Sequence, residues 1–174
     1  MANTFIPIQT VTVGSGGTTT TISFTSIPST YTDLVVKASL RDTRVSSGPG
    51  YIHLNFNGVS TNLSSRALRN VDGSVASTSR TDDYLAFSAA IDGQTANTFG
   101  NFELYVPNYT STSTYKSFSI DSTNETNATT PIAQDLVAGL WSSTAAITSI
   151  SLISEPTLFW KQYSTATLYG IKSS

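Results

Sequence analysis

Alternation with a period of two recurs along the chain and restricts it to strands. Val11 and Val13 alternate with Thr10 and Thr12. Leu34, Val36, Ala38 and Leu40 point one way, Val35, Lys37 and Ser39 the other. Ile52, Leu54 and Phe56 keep the same spacing, as do Phe102, Leu104 and Val106, then Phe118 and Ile120, then Ile150 and Leu152. Side chains two apart share one face of a strand, whereas an amphipathic helix needs apolar residues three and four apart. The nearest approach to a helix is Thr81-Asp82-Asp83-Tyr84-Leu85-Ala86-Phe87, where Thr81 has the form of a cap and the acids fill a first turn. Leu85, Phe87, Ala89 and Ile91 nevertheless alternate up to Asp92-Gly93, and the strand reading prevails.

Turn residues punctuate these runs. Gly14-Ser15-Gly16-Gly17 between Thr10–Val13 and Ile22–Phe24 predicts a hairpin, because glycine admits the positive φ that tight loops need. Asn57-Gly58 ends another strand, and Leu63 to Leu68 forms a further one. Asp72-Gly73 is expected to open a polar loop reaching Thr81, and Asp121 to Pro131 a second long loop. Leu136 to Trp141 is almost wholly apolar, the pattern of a strand covered on both faces. Tyr163 to Ile171 closes the chain as a strand. The expectation is an all-β fold: a single antiparallel β-sandwich, jelly-roll-like, of roughly nine or ten strands over residues 1–174. Residues 1–9, with Phe5, Ile6 and Ile8 apolar, form either an arm that pairs with a neighbour's sheet edge or an ordinary edge strand of their own domain.

Composition narrows the function. Charged residues are 11% of the 174, against about 25% in ordinary globular proteins, and Ser and Thr take their place at roughly a third of positions. Thr suits a pleated, half-exposed surface. A net charge of −2 with no basic stripe argues against nucleic acid as a partner. Apolar runs are too short to cross a membrane, and Met1 to Ile6 lacks the form of a secretory signal, so folding in the cytosol is expected.

Chemistry is sparse. With no Cys and one His, no metal site or cofactor is expected. His53 lies within a strand, and no Gly-x-Ser-x-Gly elbow accompanies it. The carboxylates sit mostly at turns and strand edges, with Glu103 mid-strand and unaccompanied. Asp121-Ser122-Thr123-Asn124-Glu125 offers oxygens but lacks calcium-loop spacing. The aromatics carry more: Tyr109, Phe159, Trp160 and Tyr163, with Phe5 and Ile6, are the candidate interface residues, although loop aromatics equally fold back to cap a core.

The wording of several segments is specific. Phe24-Thr25-Ser26-Ile27-Pro28-Ser29-Thr30-Tyr31-Thr32-Asp33-Leu34-Val35, Thr95-Ala96-Asn97-Thr98-Phe99-Gly100-Asn101, Leu136-Val137-Ala138-Gly139-Leu140-Trp141, Thr144-Ala145-Ala146-Ile147-Thr148-Ser149-Ile150 and Tyr163-Ser164-Thr165-Ala166 together resemble small structural proteins of tailed bacteriophages, many from marine phages. The likeness spans nearly the whole chain and brings no catalytic signature. It implies a non-enzymatic virion component, made in the host cytoplasm and exposed on the particle exterior. The expected role is a capsid decoration (cement) protein, trimeric, with the major capsid protein or other virion proteins as partners. A tail-fibre or spike tip binding host glycan is the alternative, and a glycan depolymerase a lesser one.

Overall fold

The computed structural model describes residues 4–46, 48, 50–81, 84–127 and 132–172, with the side chains of residues 84–88 left aside. It is all-β. Twelve strands follow one another: β1 (Phe5–Thr12), β2 (Thr21–Phe24), β3 (Asp33–Asp42), β4 (Gly50–Phe56), β5 (Leu63–Val71), β6 (Ser74–Arg80), β7 (Tyr84–Ile91), β8 (Gly100–Pro107), β9 (Lys116–Asn124), β10 (Ala133–Trp141), β11 (Ile150–Ile153) and β12 (Thr165–Ile171). No helix occurs among the described residues.

All twelve strands belong to one hydrogen-bonded sheet that does not close. Eight run β1-β12-β3-β8-β9-β10-β5-β6, and four run β2-β11-β4-β7. Every pairing is antiparallel but one: the end of β3 pairs in parallel with β7, Arg41 with Ala90 and Asp42 with Ile91. That short parallel contact makes the sheet mixed, where an antiparallel one was expected, and it joins the four strands to the eight.

The alternation seen in sequence sorts the faces. Leu34, Val36, Ala38 and Leu40 of β3, Phe102, Leu104 and Val106 of β8, and Phe118 and Ile120 of β9 are buried in one core with Ile52, Leu54 and Phe56 of β4. Phe56 stands 5.5 Å, centroid to centroid, from both Phe118 and Trp141, so the inward side chains of β4 meet those of β9 and β10. At β10 the approach is close enough to require glycine, since a Cβ on Gly139 would lie 2.1 Å from the Phe118 ring.

Three expectations are corrected. Among the described residues twelve strands stand where nine or ten were expected, and one of the additions is the segment after Asp72-Gly73. Asp72 and Gly73, with φ of 50° and 83°, make a two-residue turn that returns the chain along β5, Val71 facing Ser74. The Gly14–Gly17 loop does not close a hairpin: β1 pairs with β12 and β2 with β11. Phe5 to Gln9 thus form part of an edge strand of their own chain. Asp121 to Asn124 belong to β9 and not to a loop, with Ser122 and Asn124 turned inward. The acids Asp82 and Asp83 lie outside the described residues.

Gly139→Ala is expected to destabilise the fold by about 1–3 kcal/mol, because Phe118 must leave its position against Phe56. A lowered midpoint of denaturant unfolding at unchanged slope checks it.

Candidate functional site

The outward face of the eight-stranded run has a composition gradient. One row across it reads Ser77, Leu68, Leu136, Asp121, Glu103, Lys37, Thr167, Thr10, from β6 to β1. At the β1 end threonines hydrogen-bond one another, Thr10 to Thr167 at 3.0 Å and Thr12 to Thr165 at 3.1 Å. In the middle Lys37 pairs with Glu103 at 2.9 Å. Both partners are about half exposed, so the pair adds little to stability. At the β6 end the face turns apolar: Leu68 is 54% exposed, Leu136 50% and Val75 67%. Leu68 and Leu136 are direct cross-strand partners, with Arg66, Ala138 and Asp121 bordering a shallow groove around them.

This island is where a sequence signal and the structure disagree. The run Leu136 to Trp141 has the composition of a strand buried on both faces, yet only Val137 and Trp141 go into the core. Leu136 and Ala138 face out and are exposed. The apolar excess of β10 is therefore left uncovered by this chain. Leu68, Val75 and Leu136 were not singled out in sequence. Their signal is the second set of apolar positions within β5 and β10, out of phase with the core set.

The six candidate interface residues do not assemble into one patch. Trp160 and Tyr109 are fully buried. Trp160 donates its indole N–H to the Leu152 carbonyl at 3.3 Å and pairs through its backbone with Thr19 and Asp42, plugging the junction between the two runs of strands. Tyr109 donates its hydroxyl to the Pro28 carbonyl. Both cap the core. Phe159 is half-buried and tied to Thr43, and Ile6 is half-buried in β1. Phe5 (49% exposed, against Tyr169) and Tyr163 (68%) remain outside, at opposite ends of the β1–β12 pair.

Charged groups gather at the junction instead. The Arg41 guanidinium donates to the carbonyls of Thr95 (2.9 Å), Thr98 (2.8 Å) and Gln94 (3.3 Å), and its Nε lies 3.4 Å from Asp92 Oδ1. Lys161 reaches the other Asp92 oxygen at 2.8 Å. Partial burial alone would raise the Asp92 pKa, but Lys161 and then Arg41 hold it below the ordinary carboxylate value. These bonds tie down the loop of residues 92–98. Lys116, also buried, is capped by the carbonyls of Thr114, Ser143 and Thr144, and burial lowers its pKa. His53 lies on the outward face of β4 beside Ile153, Glu155 and Pro156. Among the described residues no three His, Cys, Asp or Glu side chains converge in a way that could hold a metal ion. No family model, curated protein or solved structure matches the chain.

Asp42 is the junction's costliest residue. It is wholly buried, its Oδ1 accepts from the Arg44 backbone N–H at 2.9 Å, and burial pushes its pKa up to about 6 despite that bond and the nearby Arg44 and Arg41 charges. The folded chain thus holds this proton more tightly than the unfolded chain, where the group titrates near 3.8. Its stabilising contribution is complete below pH 3.8 and is lost as pH rises to about 6. Asp42→Asn keeps the acceptor and removes the titration. Across that window the variant's stability relative to wild type should rise by on the order of 2–3 kcal/mol and then level off. Urea unfolding at a series of pH values measures this, and a difference flat with pH would contradict it.

Proposed function

We propose that the chain is a non-enzymatic structural protein of a tailed-phage virion, a decoration protein that seats on the head through the outer face of β5 and β10. The observation that carries this reading is the uncovered island of Leu68, Leu136 and Val75 on β5, β10 and β6, with β10 a strand whose composition calls for cover on both sides. Burying apolar surface of this kind contributes about 25 cal/mol per Å², so a partner laid over the two leucines gains where the isolated chain does not. The sequence likeness to small structural phage proteins implies a virion component, and a decoration role makes the partner a capsid protein. We further read the sheet as folded into a two-layer sandwich, eight strands against four, with the apolar island on the outside of the larger layer.

The face fits docking better than turnover. Its threonines at the β1 end are bonded to one another, and the Lys37–Glu103 pair at its middle is about half exposed. Small Ser and Thr side chains also lose little rotamer freedom when covered, which favours a broad and shallow contact.

Leu68→Ser with Leu136→Ser should leave the purified protein folded, with each exposed change worth no more than about 0.5 kcal/mol. Its occupancy on heads should fall at least about tenfold, the equivalent of 1.4 kcal/mol. Reconstruction of the particle is the decisive measurement. Many copies over the shell with β5 and β10 facing inward support the role. A few copies at the tail, or virions free of this polypeptide, overturn it.

A further inference from the structure

Among the described residues three strands of the sheet, β1, β2 and β6, pair on one side only, and they are not protected alike. β1 carries Pro7 and a register shift between Pro7 and Gln9, both of which spoil an edge as a template. β2 is four residues long, and the chain just before it is bridged at Thr19 to Trp160. β6 has no such device. Its seven residues, Ser-Val-Ala-Ser-Thr-Ser-Arg, include no Pro, Gly, Lys or carboxylate, and they pair with β5 without a break from Ser65–Arg80 to Val71–Ser74. Five of the seven are exposed, on both faces of the strand.

We infer that β6 pairs with β6 of a second copy, antiparallel about a two-fold axis through Ser77. The inference deepens the docking role proposed above by naming a further partner, the chain itself. A two-residue turn closes on a hydrogen-bonded pair at Val71 and Ser74, and ladder groups alternate from there. The backbone groups of Val75, Ser77 and Ser79 are then the ones aimed at the open edge. These three positions are symmetric about Ser77. Self-pairing therefore sets Ser77 against Ser77 and Val75 against Ser79, with every free N–H of the strand facing a free C=O.

Side chains agree with this register. An axis normal to the sheet keeps outward residues on one side in both copies, so the two islands of Leu68, Leu136 and Val75 flank the axis on one continuous face. Serine, alanine and threonine at the centre present no bulk to keep the edges apart. The result is a sixteen-stranded run from two eight-stranded ones, a closed two-fold assembly in place of the trimer expected of a decoration protein.

Sedimentation of the purified chain tests the idea. The wild type should be a dimer, and Ser77→Pro should make it a monomer, because the proline removes a donor that β5 does not use. Unchanged circular dichroism shows that the variant is folded. As a second arm, Ser77→Cys in this cysteine-free chain should form an intermolecular disulfide under mild oxidation, while Thr10→Cys in β1 should not. A monomeric wild type, a trimer or fibre, a dimer indifferent to Ser77→Pro, or equal cross-linking from both cysteines would overturn it. Failure here leaves the virion role standing, and absence from virions would leave the dimer standing.

Discussion

β3 hydrogen-bonds to β12 and β8 along its length and then, at Arg41 and Asp42, to β7, so one ten-residue strand belongs to both runs of the sheet. The placing of the inner faces follows from that crossing. It carries a cost, because two charged side chains are taken inside where an unpaired charge is expensive. Arg41 is compensated by three carbonyls and Asp92. Asp42 is not fully compensated, and it responds by holding a proton more readily. Gly50 shows how tight the crossing is: a Cβ there would lie 2.8 Å from the Ala89 carbonyl and 2.9 Å from Asp42 Oδ2. Trp160 fills what remains, which explains why a tryptophan in a connection is buried more completely than most strand residues.

Faces were legible in the sequence and partners were not. Period two placed Leu34, Leu54, Phe102, Ile120 and Leu152 inside, because burial selects apolar residues one position at a time. Pairing is selected by contacts far apart in the chain. The glycines after Val13 pointed to a local hairpin, whereas Thr12 finds its partner at Thr165. β6 carried no alternation because neither of its faces is covered, so a strand there looked like a loop. Buried charges were equally silent. The sequence singles out none of Lys116, Asp42 and Asp135 as buried, yet Asp135 is wholly buried against Arg69 at 2.6 Å. For the candidate surface, the aromatics drew attention through size alone. Two of them, Tyr109 and Trp160, are spent on the core, while the out-of-phase leucines in β5 and β10 are exposed side by side.

Solubility ties the low charge to the open edge. A net charge of −2 on 174 residues gives little mutual repulsion between copies, and an unguarded strand beside exposed leucines and valine is the usual start of uncontrolled sheet growth. A chain with both features has two ways to stay discrete: guard the edge or satisfy it. β1 and β2 are guarded by a proline with a register shift and by shortness. β6 is regular, small in its side chains and symmetric in its free backbone groups, which suits satisfaction by a copy of itself. A two-fold pairing consumes the edge and ends growth there, whereas a head-to-tail pairing with β1 or β2 would meet those defences and leave another β6 open. The proposed pairing would keep both apolar islands on one side, so that closing the edge and presenting the proposed docking face would be one event.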